Sequence, residues 1–264
     1  MELKIGCTGW SYEGWIGPFY PKKMDNINHL KHYSSVFDLT EVNSTFYRIP
    51  TTSMTKKWYL DTPENFLFTA KLPKLITHDN RLRPGPYLDQ FLQSLKPLGK
   101  KMSVLVIQLP PSLSFSKSEQ NLDKMIRYLP KDYKYVVEGR HESWFSDQAY
   151  RFLSERNISL VWNEVHGVEN PAPLTTDFVY LRLIGDRSIS EEDFGKVQKD
   201  RTDLVKKWAQ RVKAITSQIS YAIVVANNHF EGFAPATVNS FRAEMGLEQL
   251  TWIDTKQKTL FDLK

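Results

Sequence analysis

The chain has 264 residues, of which 41% are hydrophobic and 25% charged, and a net charge of +5 with a pI of about 9.0. This composition is typical of a globular chain with a large core, and no apolar run is long enough to cross a membrane. The single cysteine, Cys7, excludes an internal disulfide framework, and no secretion signal is present, so we expect a cytoplasmic protein. The positive charge favours an anionic partner modestly, although Lys and Arg are spread along the chain as on an ordinary solvated surface.

Eight segments with strand patterns follow one another along the chain, mostly separated by helical patterns. The fourth segment, 101–109, is almost continuously apolar, as expected when both faces of a strand are buried. The predicted strands are 3–7, 39–43, 66–71, 101–109, 135–138, 158–163, 178–183 and 221–226. The predicted helices are 28–37, 52–60, 87–95, 118–128, 146–156 and 201–216, with another beginning near Pro235.

This alternation of strands and helices predicts an α/β fold with a parallel sheet. Eight such units predict a single (β/α)8 TIM-type barrel over residues 1–246, with an eight-stranded core and outer helices, followed by a tail at 247–264. An open doubly wound sheet is the alternative, but the first turn lacks the G-x-G-x-x-G phosphate fingerprint. In a barrel, the site is expected at the carboxyl ends of the strands.

Polar side chains end nearly every predicted strand. Residues two apart on a strand face the same way, so Glu41 shares a face with Asn43, and Glu138 with Arg140. The other polar strand ends are Lys71, Gln108, Arg182 and Asn227 or Asn228. Because buried charges must be paired, about six converging polar ends are hard to explain by packing.

The predicted barrel mouth therefore contains two carboxylates and three cations, namely Glu41, Glu138, Lys71, Arg140 and Arg182. One interpretation is a self-satisfied network of ion pairs that closes the barrel. The favoured interpretation is a pocket for an anion, with Arg140 and Arg182 forked onto a phosphate or carboxylate. In that pocket one carboxylate would act as general base, and His141 or Lys71 as acid. The predicted catalytic residues are Glu41, Lys71, Glu138 and His141.

Aromatic side chains are predicted to rim this mouth, since flat faces beside charges suit sugars or bases. Ordinary packing explains Trp15 and Trp144 equally well. The predicted substrate-binding residues are Trp10, Tyr12, Asn43, Tyr47, Gln108, Arg140, Arg182, Asn227 and Asn228. Without H-x-H or H-E-x-x-H spacing, no metal or other cofactor is predicted, and His29 and His32 are expected on the surface of a helix.

Short stretches spread over most of the chain carry a resemblance to a known family. They include Gly6-Cys7-Thr8-Gly9-Trp10-Ser11-Tyr12, Glu41-Val42-Asn43-Ser44-Thr45-Phe46-Tyr47, Gln108-Leu109-Pro110-Pro111-Ser112, Tyr180-Leu181-Arg182-Leu183 and Asn227-Asn228-His229. With the stretch 138–144, they resemble the YecE-like family of uncharacterised proteins (domain of unknown function 72). The resemblance implies a TIM-type barrel and a site, but names no activity. Gly139 stands where that family usually has an aromatic residue. Ile184 stands where a His is common, which puts in doubt any mechanism that needs a His there.

The end of the chain resembles the short peptides that dock on DNA sliding clamps. Such peptides use a Gln followed by an aliphatic and an aromatic anchor, here Gln257, Leu260 and Phe261. A sliding clamp is therefore one predicted partner. The alternative is a terminal segment that packs Leu260 and Phe261 against the barrel.

Three functions remain open at this point. The first is a hydrolase or lyase that acts on an anionic substrate bearing phosphate or carboxylate, either a small ligand or nucleic acid. The second is a glycosidase-like sugar hydrolase, which would use the two carboxylates and the aromatic platforms. The third is a non-catalytic protein that binds an anion or serves as a scaffold. No membrane partner is expected.

Overall fold

A computed structural model describes residues 1–164, 170–185 and 188–252 of the chain. In this part of the chain, nine parallel strands form one sheet in the order β6-β5-β4-β3-β2-β1-β9-β8-β7. The strands are β1 (Glu2–Thr8), β2 (Leu39–Val42), β3 (Leu67–Lys71), β4 (Met102–Gln108), β5 (Lys134–Glu138), β6 (Ser159–Leu160), β7 (Trp162–Asn163), β8 (Phe178–Leu183) and β9 (Tyr221–Ala226). Because all of them run the same way, their carboxyl ends lie at one end of the sheet.

The two outermost strands of this order, β6 and β7, are adjacent in the chain and separated only by Val161. The first pairs with β5 and the second with β8, while the Val161 amide donates to the Val137 carbonyl at 2.9 Å. The sheet therefore curls into a nearly closed barrel, and the predicted TIM-type fold is confirmed. The strand count is nine rather than eight because the predicted sixth strand is interrupted at Val161.

Helices cover the outside of the barrel in the described residues. They are α1 (His29–Val36), α2 (Thr52–Leu60), α3 (Pro86–Leu95), α4 (Phe115–Tyr128), α5 (Asp147–Ser154), α6 (Thr202–Ala214), α7 (Asn228–Glu231) and α8 (Ala234–Met245). Helix α4 begins three residues before the predicted position, since Ser114 is its N-cap. Helix α8 ends at Gly246, whose φ of 78° suits the left-handed turn that stops a helix. Most predicted helices therefore occur, with shifted ends.

Two apolar layers hold this architecture together. The strands alternate, so that in β4 Val104 and Val106 face the barrel interior while Leu105 and Ile107 face the helices. The interior layer consists of Leu39, Val104, Val106, Val136, Val161, Phe178, Tyr180, Ile223 and Val225. A residue two positions beyond the last interior residue of its strand, towards the carboxyl end, therefore points into the mouth of the barrel.

Candidate functional site

The inward faces of four strands change from apolar to charged or amide side chains at their carboxyl ends. In β5, Val136 lies in the interior layer and Glu138 is two residues further along. In β8, Tyr180 precedes Arg182 in the same way. Strands β2 and β4 likewise end with Glu41 and Gln108 on this face. We use the name mouth cluster for Glu41, Lys71, Glu138, Arg140 and Arg182.

Arg182 is the centre of the mouth cluster. Its Nε and Nη2 donate to the two carboxylate oxygens of Glu41 at 2.9 and 2.7 Å, and its Nη1 donates to Oε2 of Glu138. Burial lowers the pKa of Arg182, but the two carboxylates outweigh burial and raise it, so the guanidinium stays charged. All three guanidinium nitrogens of Arg182 are hydrogen-bonded, so this side chain links β2 and β5 and does not present free donors to the open mouth.

The carboxylate of Glu41 is held by further donors that the sequence interpretation did not include. The Tyr180 hydroxyl donates to Oε2 at 2.8 Å, and the Thr8 hydroxyl donates to Oε1 at 3.4 Å. Thr69 lies 2.6 Å from the Tyr180 hydroxyl oxygen and completes the chain. Burial and the neighbouring Glu41 raise the pKa of Tyr180, which keeps its proton in this hydrogen bond. Each of these residues lies on an inward strand face, which is the signal that locates them.

Glu138 and Arg140 form the outer part of the mouth cluster. Arg140 Nε donates to Oε1 of Glu138 at 2.7 Å. Burial raises the pKa of Glu138, but Arg182, Arg140 and Lys71 outweigh it and lower the pKa to about 2. The Arg140 side chain remains 27% exposed, so this guanidinium both holds Glu138 and reaches solvent at the mouth.

Gly139, which separates this pair in the chain, packs directly against an aromatic ring. A Cβ at this position would lie 2.4 Å from Cγ of Trp144. Trp144 is fully buried, and its indole N–H donates to the Leu113 carbonyl at 3.0 Å. The ring therefore fills the space beside residue 139 and fixes the loop that carries Arg140.

Lys71 differs from the other members of the mouth cluster because its charge is unmatched. Its side chain is 7% exposed, and its backbone carbonyl accepts from the Thr45 hydroxyl at 2.8 Å. Its Nζ lies 5.7 Å from the centre of the Phe46 ring, and within 1–164, 170–185 and 188–252 it has no hydrogen bond or ion pair. Burial, and next the charge of Arg182, lower the pKa of Lys71 to about 8. This amine is therefore still mostly protonated at neutral pH, but its neutral fraction is much larger than that of an ordinary lysine.

Two buried amides beside the mouth cluster each have a side-chain atom without a hydrogen-bond partner among the described residues. Gln108, on the strand next to Glu138 and in register with it, is 5% exposed, and its Oε1 accepts no hydrogen bond there. Asn163, in register with Arg182, has an unsatisfied Nδ2. Buried polar atoms are normally satisfied, so these two are positioned to receive groups from a ligand or from water. Asn163 was not among the predicted site residues.

Several predicted site residues organise loops next to the mouth. His141 is half-buried, and its Nδ1 accepts from the Ser143 amide at 3.2 Å. Asn227 caps α7 through its side-chain oxygen. Asn228 is buried, and its Oδ1 accepts from the Trp15 indole at 3.1 Å. Asn43 is half-buried and leads into the turn Ser44–Phe46.

The predicted aromatic rim divides into three environments. Trp10 packs edge-on against Trp58 of α2, at 5.5 Å between ring centres. Tyr12 is half-buried, and its hydroxyl donates to the Thr8 carbonyl at 2.6 Å. Tyr47 is 74% exposed and lines a groove of about 890 Å³. Phe46 lies between this groove and Lys71, so the groove begins beside the mouth cluster.

Other expectations concern metals, membranes and the chain end. Among the described residues, no group of three or more His, Cys, Asp or Glu side chains is gathered closely enough to hold a metal ion. Within the same ranges, no helix is both long and apolar enough to cross a bilayer. The clamp-like residues Gln257, Leu260 and Phe261 lie outside the described part of the chain.

Comparison with known sequences finds one family over nearly the whole chain. The model described as "Protein of unknown function DUF72" matches residues 4–260. The UPF0759 protein YunF of Bacillus subtilis (strain 168) is 30% identical over 175 residues, which cover 63% of this chain and 60% of that protein. The UPF0759 protein YecE of Escherichia coli (strain K12) is 28% identical over 145 residues, 54% of this chain and 50% of that protein. The chain therefore spans between half and three-fifths of the length of these relatives.

Solved structures show the same fold. The crystal structure of a DUF72 family protein from Thermotoga maritima MSB8 superimposes with a TM-score of 0.80 at 25% identity, and covers 93% of this chain and 100% of that chain. A DUF72 family protein from Enterococcus faecalis V583 gives a TM-score of 0.75 at 20% identity, with 94% and 98% covered. The barrel described above is thus the fold of these proteins.

Proposed function

The chain belongs to the DUF72 family, and from the geometry of the barrel mouth we propose that it is an enzyme whose substrate carries a phosphate or carboxylate group. The single observation that supports this most is the buried amine of Lys71, which has no partner in the described ranges, beside the partly exposed guanidinium of Arg140. Perturbed pKa values in a concave site are typical of catalytic groups. The reaction class that suits these groups is hydrolysis or elimination.

The members of the mouth cluster have three different roles in this proposal. Arg140 binds the anionic group, because its guanidinium reaches solvent. Lys71 transfers a proton at the reacting atom, since a pKa of about 8 suits both accepting and donating near neutral pH. Glu41, Glu138 and Arg182 act as positioning residues that fix the electrostatic surroundings of the amine. His141 is a second candidate acid at the rim.

Anion binding tests this assignment directly. Titration calorimetry with inorganic phosphate should show binding to the wild type and at least tenfold weaker binding to Arg140→Gln, because a charged hydrogen-bonded contact contributes about 1.5–3 kcal/mol. Arg127→Gln is the matched control, since Arg127 also pairs with a carboxylate, Asp123, but on the outer helix α4. Equal phosphate affinity in all three proteins, or none in any, would contradict the proposal.

Catalysis is tested with a panel of phosphoesters and of carboxylated and phosphorylated small molecules. Lys71→Met should remove turnover while phosphate binding persists. If phosphate binds and no substrate is converted by either protein, the non-catalytic anion-binding alternative replaces the enzyme.

The glycosidase alternative receives less support from the geometry. A glycosidase needs one carboxylic acid that keeps its proton until it protonates the leaving group. The pKa of Glu138 is instead lowered to about 2, and the Glu41 carboxylate accepts from Arg182 and Tyr180. Both carboxylates are therefore engaged by donors rather than poised to protonate a sugar oxygen.

The anionic substrate could be a nucleic acid rather than a small molecule. The side chains that line the groove beside Phe46 favour this possibility. Tyr47 and Tyr87 are exposed in this groove, with Arg48 and Lys74 nearby. Aromatic faces and cations together suit stacked bases and phosphates. Fluorescence anisotropy with single-stranded DNA should show salt-dependent binding that Tyr47→Ala weakens and Tyr128→Ala, on helix α4, does not. Identical affinities in both variants would exclude this groove.

The clamp-like tail remains a proposal about a partner. A peptide that contains Gln257, Leu260 and Phe261 should bind a bacterial sliding clamp, and Phe261→Ala should abolish binding because the aromatic anchor is lost. Binding that is unchanged by this substitution would contradict the docking interpretation.

A further inference from the structure

Lys71 combines three properties that point beyond proton transfer: burial, a strand-end position at the mouth, and an amine without partners in the described residues. We propose that Lys71 forms a Schiff base with the carbonyl carbon of an aldehyde or ketone that also carries an anionic group. This inference rests on the proposed function and deepens it, because it names the chemical class of the substrate.

The charge balance of the mouth cluster favours a neutral amine. Arg182 bonds to both Glu41 and Glu138, and Arg140 bonds to Glu138. Two guanidinium groups thus already balance two carboxylates. Among the described residues, a protonated Lys71 would add a third positive charge that has no matching negative one. A lysine desolvated beside other cations has a free electron pair, which is the condition for nucleophilic attack.

The surroundings of Lys71 also suit the intermediate. Phe46 shields one side of the amine, and the Thr45 hydroxyl fixes the strand end through the Lys71 carbonyl. Gln108, on the neighbouring strand, offers a buried oxygen without a partner in the described residues. That oxygen can accept a hydrogen bond from the carbinolamine hydroxyl or from the iminium N–H. Arg140 can hold the anionic group of the same molecule at the exposed side of the mouth.

The covalent step balances without an added oxidant or reductant. The electron pair on Nζ forms a bond to the carbonyl carbon, and the π pair of the C=O bond moves to oxygen, which takes up a proton. The nitrogen loses a proton, and the resulting carbinolamine expels its oxygen as water when that oxygen is protonated again. The products are an iminium ion and one water molecule, which together contain the atoms of the amine, the carbonyl compound and the one proton taken up to release water. Loss of the iminium proton returns that proton and leaves the neutral imine.

Reductive trapping tests the proposal. Full-length protein is incubated at pH 8 with glyceraldehyde 3-phosphate, and sodium borohydride then delivers hydride to the imine carbon and leaves a stable secondary amine. Peptide mass spectrometry should place the adduct on Lys71 at more than about ten times the level on a typical surface lysine, since each pKa unit changes the neutral fraction about tenfold and the two pKa values differ by more than one unit. Glyceraldehyde without phosphate should label Lys71 less, and Arg140→Gln should reduce that difference.

Three variants keep the result interpretable. Lys71→Met and Lys71→Arg should both lose the adduct, so that a folding defect in one of them does not decide the outcome. Lys101→Met, which removes the other strongly buried lysine of the barrel, should retain the adduct on Lys71.

Two outcomes would overturn the proposal. One is labelling spread over surface lysines with no excess on Lys71, which removes the Schiff base itself. The other is an adduct on Lys71 that persists at equal yield without the phosphate group and in Arg140→Gln, which removes the anionic carbonyl compound as its substrate. If phosphate still binds through Arg140 in the first case, the anion-binding part of the proposed function stands and only the covalent step fails. If phosphate does not bind at all, both fail.

Discussion

Lys71 and Lys101 are buried to nearly the same degree at opposite ends of the barrel. Lys71 ends β3 and is 7% exposed, whereas Lys101 immediately precedes β4 and is 5% exposed. The ammonium of Lys101 donates to the carbonyls of Tyr59 and Thr62, both at 2.7 Å, and to the Thr62 hydroxyl at 3.1 Å. Lys71 has no such acceptors among the described residues.

The difference shows that burial alone does not identify a functional lysine. Lys101 uses its three N–H donors to close the turn after α2, so it stabilises the amino-terminal end of the barrel. Lys71 receives no such compensation and sits beside two guanidinium groups. A buried charged residue that lowers stability and makes no compensating hydrogen bonds is better explained by a functional role than by a structural one.

Removal of Arg182 should have the largest effect on stability. It should also make the pKa of Lys71 more like that of an ordinary lysine. Arg182→Ala leaves two buried carboxylates without their main partner, so we expect the free energy of unfolding to fall by about 3–5 kcal/mol in urea titrations. The pKa of Lys71 should rise, because a nearby cation is lost and the carboxylates become available. Arg156→Ala, at a half-exposed ion pair with Asp123, is the control and should cost about 1 kcal/mol or less. If Arg182→Ala lowered the free energy of unfolding by a similarly small amount, the idea that Arg182 holds β2 and β5 together would be contradicted.

Substitution of each lysine by Met should separate the two roles by stability. Lys101→Met should lower the free energy of unfolding by about 1–3 kcal/mol, because it leaves buried acceptors unsatisfied. Lys71→Met should leave it unchanged or raise it, since the substitution removes a desolvated amine that has no acceptors in the described structure. Thermal and urea unfolding of both variants measure this difference. An equal decrease in the free energy of unfolding in both variants would contradict the distinction between a structural and a functional lysine.

Chemical reactivity should rank the two lysines in the opposite order. Limited modification with acetic anhydride at pH 8 should acetylate Lys71 about tenfold faster than Lys101. Burial lowers the pKa of both amines, but the ammonium of Lys101 is held by three hydrogen bonds that must break before its electron pair is free. Peptide mass spectrometry gives both rates from one sample. Faster acetylation of Lys101 than of Lys71 would contradict this prediction, because it would show that the charge balance at the mouth does not make Lys71 the more reactive amine.

The smallest expected effect is the pH dependence of stability. The pKa of Lys71 is about 8 in the folded protein against an ordinary 10.5, so between these values the unfolded chain binds more protons. The free energy of unfolding of the wild type, relative to Lys71→Met, should therefore rise by about 1 kcal/mol or more from pH 7 to pH 10.5. A flat difference over this range would place the pKa of Lys71 at its ordinary value, and a falling one would place it above that value.

The barrel and the convergence of its strand ends could be predicted because both depend on local patterns. Alternation along β5 and β8 places Glu138 and Arg182 on the inward face regardless of the rest of the chain. The interruption at Val161 has no comparable signal, since the stretch 158–163 is continuously apolar up to Asn163 apart from one serine. It becomes visible only when β6 and β7 pair with different neighbours.

Partnerships across the barrel could not be predicted. The sequence indicates that Arg182 faces the mouth, but its choice of Glu41 over an external anion depends on two side chains 141 residues apart. The same limit applies to His29, which was expected on a helix surface. It is 1% exposed and stacks on Tyr20 with ring centres 3.9 Å apart. Amphipathic spacing in one helix does not reveal which loop covers its polar face.

The reach of Arg182 has a consequence for the newly made chain. Its bonds connect β8 to β2 and to β5, so they exist only after almost the entire barrel has been synthesised and has closed. Until then Lys71 is an ordinary, fully protonated lysine in water. The network therefore delays the appearance of an electron-rich amine until folding is complete, and a partly folded chain is chemically as inert as any other lysine-bearing polypeptide in the cell.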